Sequence, residues 1–268
     1  MVTHERELTA PVDQQGVAQR WLSCGETSCP EGTDWLSERE RGYLETIRFT
    51  KRRTEFLLRR HTGKRAVAAA LGLPADPSTL ARVEILNRLT GAPYVQIDGE
   101  RAALDISLTD RAGWGVALIG SEGSMAAGTL GVDLEIVEPR TRGFVSDFLT
   151  PPEQEYVAGR GAGDGWDAAA NLIWSAKEAA LKVMRVGLRA DTRTVEVTVG
   201  HDRGPDGWHP LSVRHVDGQV FPGWWRRDAV FLLTIAALEE TPPPTLLPGG
   251  DDLTSATPVH SWVDRPLT

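Results

Sequence analysis

The stretch from residue 130 to 136, Leu-Gly-Val-Asp-Leu-Glu-Ile, restricts the fold of this chain more than any other segment. On a β-strand, Asp133 and Glu135 point to one face, and the apolar residues between them point to the other. Two adjacent carboxylates repel each other and are costly to bury without compensation. Two interpretations are open: a half-exposed strand with a solvated acidic face, or a strand whose carboxylates hold a hard divalent cation such as Mg²⁺.

A second segment, residues 174 to 183 (Trp-Ser-Ala-Lys-Glu-Ala-Ala-Leu-Lys-Val), has the pattern of an amphipathic helix. Trp174, Glu178 and Lys182 follow one another at intervals of four, so they align along one side of the helix. Taken alone, Glu178 and Lys182 have the spacing of an ordinary exposed ion pair, which stabilises a helix by about 0.3–0.5 kcal/mol. The alternative is that they form the wall of a site.

The N-terminal part of the chain contains another long helical pattern. Ser-Glu-Arg-Glu at residues 37 to 40 is a capping-box sequence and predicts a helix start. A longer helix is predicted from residue 51 to 71, ended by Gly72 and Pro74. It contains Arg52, Arg53 and Arg60, in the most basic region of the chain. These arginines could form a solvated helix face or bind phosphate groups.

Short strand patterns flank both long helices, which predicts an α+β fold. Strands are expected at residues 82–87, 93–98, 102–109, 114–119, 129–137, 194–199, 211–216 and 229–238. Two halves, each a small, mostly antiparallel sheet packed on a long helix, fit this order better than alternating βαβ units. Because residues 120–128 are small and polar, we predict an N-terminal half over 1–125 and a C-terminal half over 126–240, which would contain any metal site on the acidic strand. The Pro- and Gly-rich tail, 241–268, is predicted to be disordered.

Composition excludes several classes of protein. The net charge of -8 argues against nucleic-acid binding, because no overall cationic field attracts phosphates. The two cysteines, Cys24 and Cys29, are too few for a disulfide framework and lack His partners for zinc. No apolar run reaches the roughly 18 residues that a membrane span needs, and the first residues lack a signal peptide's apolar core. We therefore expect a cytoplasmic protein without a membrane partner.

Together, the acidic strand and the amphipathic helix resemble a known family. Gly131-Val132-Asp133-Leu134-Glu135, followed after about forty residues by Trp174-Ser175-x-Lys177-Glu178-Ala179-x-x-Lys182, resembles the paired signature of the 4′-phosphopantetheinyl transferases of the larger, monomeric type. These enzymes serve siderophore, non-ribosomal peptide and polyketide synthases. The resemblance extends from about residue 40 to 185. Its weaker upstream matches are Arg52-Arg53-x-Glu55-Phe56-x-x-x-Arg60, Thr90-Gly91-Ala92-Pro93, Ser107-Leu108-Thr109 and the segment 148–153.

The resemblance implies a pseudo-twofold arrangement of two similar halves, with coenzyme A and Mg²⁺ in the cleft between them. It also implies the reaction, in which the phosphopantetheine arm of coenzyme A moves to a serine of an acyl or peptidyl carrier protein. Adenosine 3′,5′-bisphosphate is then released. The implied state is a monomer whose partner is the apo carrier protein.

The resemblance further implies roles for individual residues. Asp133, Glu135 and Glu178 would hold Mg²⁺ against the pyrophosphate. Lys182 would bind the same pyrophosphate and stabilise the leaving group. Glu178 or Glu153 would accept the proton of the serine.

The coenzyme A contacts are implied in the same way. The candidates for binding its phosphates are five basic residues and one threonine from the 107–109 segment. They are Arg52, Arg53, Arg60, Thr109, Lys177 and Lys182. Two positions depart from the family pattern. Leu108 stands where the family often has a His, and Ala92 stands where many members have a polar or charged residue. Because leucine cannot donate a hydrogen bond, we expect weaker binding of the nucleotide end.

The helix at 174–183 then divides by role. We expect Ile173, Ala176, Ala180 and Val183 to pack it, and Lys177, Glu178 and Lys182 to line the cleft. A different class of function stays open: a catalytically weak relative that binds a carrier protein or nucleotide as an assembly factor. A Mg²⁺-dependent phosphohydrolase fits less well, because the sequence shows no nucleophile and no second metal cluster.

Overall fold

The computed structural model describes residues 19–121, 130–186, 191–200 and 202–260. Helices and mostly antiparallel sheets occur together, so the predicted α+β class is confirmed. The helices are α1 (Glu38–Thr46), α2 (Thr50–Leu71), α3 (Pro77–Arg82), α4 (Arg142–Phe148), α5 (Pro151–Ala158) and α6 (Asp164–Val183). The strands are β1 (Arg20–Gly25), β2 (Val83–Asn87), β3 (Pro93–Ile97), β4 (Glu100–Arg101), β5 (Leu104–Arg111), β6 (Trp114–Ser121), β7 (Leu130–Ile136), β8 (Val195–Val199), β9 (His209–His215), β10 (Val220–Asp228), β11 (Phe231–Ala237) and β12 (Thr245–Leu246).

Three sheets organise these strands. A four-stranded sheet has the order β12-β1-β6-β5, and a small sheet has the order β2-β3-β4. A five-stranded sheet has the order β7-β11-β10-β9-β8 and is antiparallel throughout. Helix α2 packs on the first of these sheets and α6 on the five-stranded one, where each helix covers a separate apolar core. Every described strand before residue 122 therefore belongs to a sheet other than the one that contains β7.

Helix α2 begins and ends near the predicted residues, and α6 contains the whole predicted segment 174–183 but begins ten residues earlier. Ser37 and Glu40 form the predicted capping box of α1. Gly72, at φ 66°, adopts the left-handed conformation that ends α2, which glycine reaches without a steric penalty. The predicted packing face of α6 is also confirmed, because Ile173, Ala176, Ala180 and Val183 are all buried.

The predicted disorder of the tail is wrong for residues 241–260. Leu247, Leu253 and Ala256 are buried, and the Leu247 N–H donates to the Trp21 carbonyl at 2.8 Å. Strand β12 pairs in parallel with β1 and supplies partners to an otherwise unpaired sheet edge. The Pro- and Gly-rich composition predicted disorder because the few apolar residues that pack in the core are far apart in the tail. Residues 261–268 lie outside the described ranges.

Two further elements escaped the sequence patterns. Strand β10 contains Pro222 and Gly223, residues that are rare inside strands, yet it lies between β9 and β11. Helix α4 is only seven residues long, too short for a clear periodicity. The predicted division at residues 125/126 falls outside the described residues, so it stays a prediction, as does the pseudo-twofold relation. Among the described residues, no helix is both long and apolar enough to cross a membrane.

Candidate active site

The two large sheets meet through side chains of β5 and β7 rather than through a backbone ladder. The Ser107 Oγ accepts a hydrogen bond from the Val132 N–H at 3.0 Å, and the Thr109 Oγ1 accepts one from the Leu134 N–H at 3.3 Å. These hydroxyls satisfy N–H groups on the outer edge of β7, which its own sheet leaves unpaired. The carboxylates of β7 consequently lie in the junction between the sheets.

Asp133 is the most connected side chain in this junction. Its Oδ1 accepts hydrogen bonds from the Lys182 Nζ at 2.9 Å and the Thr109 Oγ1 at 3.3 Å, and its Oδ2 accepts one from the Ser175 Oγ at 2.8 Å. The Lys182 ammonium also donates to the Val132 carbonyl at 2.7 Å. Strand β5, strand β7 and helix α6 therefore all contribute groups around one buried carboxylate.

Gly131 permits this close approach of α6 to β7. A Cβ atom at Gly131 would lie 2.0 Å from the Ala179 carbonyl oxygen and 3.2 Å from the Lys182 Cβ. No side chain larger than a hydrogen fits there unless the helix backbone moves. The glycine of the Gly-Val-Asp-Leu-Glu motif therefore sets the distance at which Glu178 and Lys182 face the acidic strand.

Glu135 lies next to two arginines. Its Oε2 is 3.1 Å from the Arg111 Nε and 3.5 Å from an Arg140 guanidinium nitrogen, but it accepts no hydrogen bond. Burial, and then the Asp133 charge, raise the pKa of Glu135 to about 7 in spite of both arginines. The carboxylate is therefore held by charge alone.

Glu178 is half-buried on the α6 face that looks toward Asp133. Its buried Oε1 has no hydrogen-bond partner. Burial and the charge of Asp133 raise the pKa of Glu178 to about 7, while Lys182 opposes the rise. A carboxyl with this pKa can accept and release a proton near neutral pH.

These carboxylates suit a divalent cation chemically, although they are not gathered into a finished metal site. Within the described ranges, no three His, Cys, Asp or Glu side chains are arranged to hold a metal ion. However, Glu135 and Glu178 each keep a buried oxygen without a hydrogen bond, and both are repelled by Asp133. Added positive charge would relieve both conditions. The assignment of Mg²⁺ to these residues therefore fits and stays a prediction.

The structure contradicts the predicted roles of Glu153 and Lys177. Both side chains are fully buried and form an ion pair of 2.8 Å. The three donors of the Lys177 ammonium are all used, since it also donates to the Thr192 and Val195 carbonyls at 2.9 and 2.6 Å. Glu153 accepts from the backbone of Thr150 and Val197. Neither residue has a free polar group to offer a substrate, so both belong to the framework.

Arg60 is likewise placed inside the protein rather than toward a ligand. It is buried, its guanidinium lies 4.7 Å from the centre of the Phe56 ring, and its Nε is 3.6 Å from a Glu40 oxygen. It also donates to the Asn87 Oδ1 at 3.3 Å. The predicted phosphate contact is therefore wrong in this arrangement, because the charge is already paired.

Arg52 and Arg53 differ in a way that the sequence left undecided. Arg53 donates to the Leu44 carbonyl at 2.7 Å and ties α2 to the end of α1. Arg52 is exposed, lies 6.0 Å from the centre of the Phe49 ring and lines a cleft of about 490 Å³. The rest of the cleft wall combines aromatic, basic and other side chains: Tyr43, Thr46, Ile47, Arg48, Phe49, Glu55, Phe56 and Arg59.

Strand β5 connects this cleft to the carboxylates. Arg59 of the cleft pairs with Asp110, while the adjacent Thr109 points the opposite way and contacts Asp133. Alternate residues of one strand thus face the basic cleft and the acidic junction. Leu108 turns toward α2 and packs beside Gly63, where an added Cβ would lie 3.0 Å from its Cδ2.

Sequence reasoning missed Arg59, Arg111 and Arg140. A signal for Arg111 existed, because it follows Ser107 and Thr109 at intervals of two and so shares their strand face. Trp174, by contrast, has a packing role: its ring centre lies 5.3 Å from those of both Phe144 and Phe148. The aromatic residues join α4 to the side of α6 that carries Glu178.

Comparison with known proteins agrees with this geometry. A model of the 4′-phosphopantetheinyl transferase superfamily matches residues 129–209. That range contains β7 with Asp133 and Glu135, and α6 with Glu178 and Lys182. A search of curated proteins finds no match. The family match supports phosphopantetheinyl transfer as the general activity. Residues 129–209, which contain the acidic strand and the helix packed on it, are therefore similar to the 4′-phosphopantetheinyl transferase superfamily.

Proposed function

We propose that this protein moves the 4′-phosphopantetheine arm of coenzyme A to a serine of an acyl or peptidyl carrier protein, with Mg²⁺ as cofactor. The observation that carries the proposal is the convergence of Glu178 and Lys182 on the buried Asp133. Serving siderophore, non-ribosomal peptide or polyketide synthases, as a monomer in the cytoplasm, is part of the same proposal. Its other product is adenosine 3′,5′-bisphosphate.

Asp133, Glu135 and Glu178 would hold the Mg²⁺, which would neutralise charge on the diphosphate of coenzyme A. Lys182 has its own part in the reaction. Two of its three ammonium donors are used by Asp133 and the Val132 carbonyl, which leaves one for a phosphate oxygen. Lys182 would therefore stabilise the negative charge that develops on the leaving phosphate.

Glu178 is the residue best placed to accept the serine proton. The serine oxygen would bond to the phosphorus that carries pantetheine, and the bond from that phosphorus to the bridging oxygen would break. The serine proton would pass to Glu178, which faces Asp133 from α6 and keeps a buried oxygen without a hydrogen bond. Glu153 takes no part, because its oxygens are fully occupied in the core.

The phosphoadenosine end of coenzyme A would bind in the cleft of about 490 Å³ beside α2. Arg48 and Arg52 supply guanidinium groups that match phosphate, and Arg59, paired with Asp110 but about a third exposed, lies beside them. The exposed rings of Tyr43 and Phe49 suit an adenine base. Because Leu108 packs beside α2 and cannot donate a hydrogen bond, phosphate binding at this end would depend on these arginines.

The test is intact-mass spectrometry of apo carrier proteins after incubation with the protein, coenzyme A and Mg²⁺. We expect a phosphopantetheine adduct on at least one carrier and its loss with Glu178→Gln. The matched control is Glu155→Gln, which removes an exposed carboxylate from α5 and should leave the rate unchanged. Binding of coenzyme A without any adduct would favour the alternative, an assembly factor that lacks transferase activity. Adduct formation by Glu178→Gln at the wild-type rate would refute the roles given to Glu178.

A further inference from the structure

Arg111, at the end of β5, lies close to two glutamates of the C-terminal half, Glu135 and Glu138. Its Nε lies 3.1 Å from the Glu135 Oε2, and one terminal nitrogen donates a hydrogen bond to the Glu138 Oε1 at 2.5 Å. The N-terminal half therefore contributes a cation directly beside the acidic strand, in line with Ser107 and Thr109.

Arg140 approaches the same carboxylates from the C-terminal half. Its guanidinium lies 3.5 Å from the Glu135 Oε2 and 3.2 Å from the Glu138 Oε1. Its side chain has a further anchor, because its Nε donates to the Asn171 Oδ1 at 2.6 Å, and its backbone N–H donates to Asp167 at 3.1 Å. Its guanidinium also covers the Phe144 ring at 4.6 Å.

The contact between Arg111 and Glu135 is close but lacks the direction of a hydrogen bond. Both the Arg111 Nε and the Glu135 Oε2 are buried without a hydrogen-bond partner. About a third of the Arg111 side chain is exposed, so its guanidinium has room to move away from Glu135 on the solvent side. Arg111 is thus attracted to Glu135 by charge but is not fixed there by geometry.

We propose that Arg111 and Arg140 form a guanidinium clamp that exchanges partners, from Glu135 to the diphosphate of coenzyme A. The proposal rests on the proposed function and adds two residues to its diphosphate site. Arg111 and Arg140 both approach the Glu135 Oε2, so a cation bound by that oxygen would compete with both guanidiniums for its charge. When Glu135 binds a cation, both guanidiniums keep Glu138 but lose the second of their two carboxylate partners, and diphosphate oxygens supply a replacement that matches their planar fork. Arg111, the less restrained of the two, makes the larger movement.

The exchange predicts opposite effects of one substitution on two ligands. Arg111→Gln removes a cation that competes for Glu135, so Mn²⁺ should bind roughly three- to tenfold more tightly in the absence of coenzyme A. The same variant loses a phosphate ligand, so coenzyme A should bind roughly five- to tenfold more weakly in the absence of metal. Both dissociation constants can be measured by isothermal titration calorimetry. Arg111→Lys, which keeps the charge without the fork, should fall between the variant and the wild type for both ligands.

Opposite shifts separate this role from a structural one. A residue that only holds the two halves together would weaken both ligands when removed, and that result would overturn the proposal, as would two unchanged constants. Arg82→Gln is the matched control, because Arg82 forms an exposed ion pair with Asp98 at 2.5 Å and should change neither constant. If the wild type transfers phosphopantetheine while the two shifts share one sign, the clamp is wrong and the proposed function stands. If the wild type binds neither ligand and modifies no carrier, both fail.

Discussion

The two halves of the molecule build their long helices around the same buried contact. In α2, the Lys64 ammonium pairs with Glu40 at 2.5 Å and donates to two backbone carbonyls, at 2.8 and 3.1 Å. In α6, the Lys177 ammonium pairs with Glu153 at 2.8 Å and also donates to two backbone carbonyls. A lysine with every donor satisfied can be buried in a core, although burial still lowers the pKa of both ammonium groups.

The paired glutamates also make matching contacts with helix caps and strands, although Glu40 additionally lies 3.6 Å from the Arg60 Nε. Glu40 closes the capping box of α1, and its other oxygen accepts from the Ile85 N–H in β2 at 3.0 Å. Glu153 closes the capping box of α5 and accepts from the Val197 N–H in β8 at 2.7 Å. Each glutamate thus joins a short helix, a long helix and a strand, which explains why both are buried.

The halves differ at the residue that follows each lysine. Arg65 follows Lys64 and faces Cys24, whose Sγ lies 3.7 Å from an Arg65 nitrogen. Glu178 follows Lys177 and faces Asp133. Residues 249–251 cover the surroundings of Arg65. The Gly249 carbonyl accepts a hydrogen bond from Arg65, and the Asp251 side chain accepts one from the Gly25 N–H at 2.8 Å.

One motif therefore contains both a structural lysine and residues that we assign to the reaction. The first lysine of Trp-Ser-x-Lys-Glu-Ala-x-x-Lys has a counterpart in the other half and is structural. Glu178 and Lys182 have no such counterpart, since Arg65 and Ala69 stand at the matching positions of α2. The residues that are specific to one half are therefore the ones that we assign to the reaction.

The largest effect is expected from removing the charge that only the C-terminal half has. Glu178→Gln should lower the transfer rate by roughly 10²- to 10⁴-fold, because a general base and a carboxylate of the proposed metal site are lost together. Arg65→Gln, at the matching position of α2, should leave the rate within about threefold of wild type, because the partly exposed Arg65 donates, among the described residues, to Cys24 and the Gly249 carbonyl rather than to the acidic strand. Steady-state assays of both variants test the comparison. Equal losses would mean that the two positions do not differ in role.

The next effect concerns the contact that the halves share. Lys177→Met should lower the free energy of unfolding by about 3–5 kcal/mol, because it leaves the buried Glu153 without its cation. Lys64→Met should lower it by about 2–4 kcal/mol, because Arg60 remains 3.6 Å from Glu40. Urea denaturation measures this change. In a double-mutant cycle, Glu153→Gln combined with Lys177→Met should lose less stability than the sum of the single variants. A large loss for Lys177→Met alone, with Lys64→Met near wild type, would break the equivalence.

The two glycines at the helix–strand contacts should differ in tolerance. Gly131→Ala places a Cβ 2.0 Å from the backbone oxygen of Ala179, so we expect a loss of about 2–3 kcal/mol and a displaced Lys182. A Cβ at Gly115, on the sheet beneath α2, meets the Thr62 hydroxyl at 2.5 Å. Because a side chain can move more readily than a helix backbone, Gly115→Ala should lose about 1 kcal/mol. Thermal denaturation of both variants gives the ranking, which would be contradicted by the reverse order.

The smallest effect is a dependence of stability on pH that belongs to the acidic site. Burial and Asp133 raise the pKa of Glu178 from 4.5 to about 7, so the folded protein binds this proton more tightly than the unfolded chain. The free energy of unfolding should therefore fall as the pH rises from about 4.5 to about 7. Glu178→Gln should remove that part of the slope and be more stable than wild type at pH 8, by on the order of 1 kcal/mol after solvent screening.

The measurement for this last prediction is denaturation at pH 5 and pH 8 with a chelator present. Arg65→Gln serves as the control from the other half and should keep the wild-type slope. A Glu178→Gln variant less stable than wild type at pH 8 would contradict the raised pKa.

Periodicity and capping chemistry were enough to predict much of the fold. The alternation in β7, the ends of α2 and the packing face of α6 follow from local patterns, because a strand repeats every two residues and a helix every 3.6. The pairing of Asp133 with Glu178 and Lys182 required the family resemblance, since about forty residues separate them. Nothing local distinguishes Lys177 from Lys182, because both are lysines on one helix.

The sequence by itself determined which faces of β7 and α6 are apolar and where α2 ends at Gly72. Only the tertiary structure decided which charges are internal, because burial of a lysine depends on a glutamate and carbonyls from other elements. That is why Lys177, Glu153 and Arg60 belong to the framework, while Arg111 of β5 arrives beside Glu135 of β7. Likewise, the tail is ordered through residue 260 because β1 offers it an unpaired edge, a partner that no property of the tail's own sequence reveals.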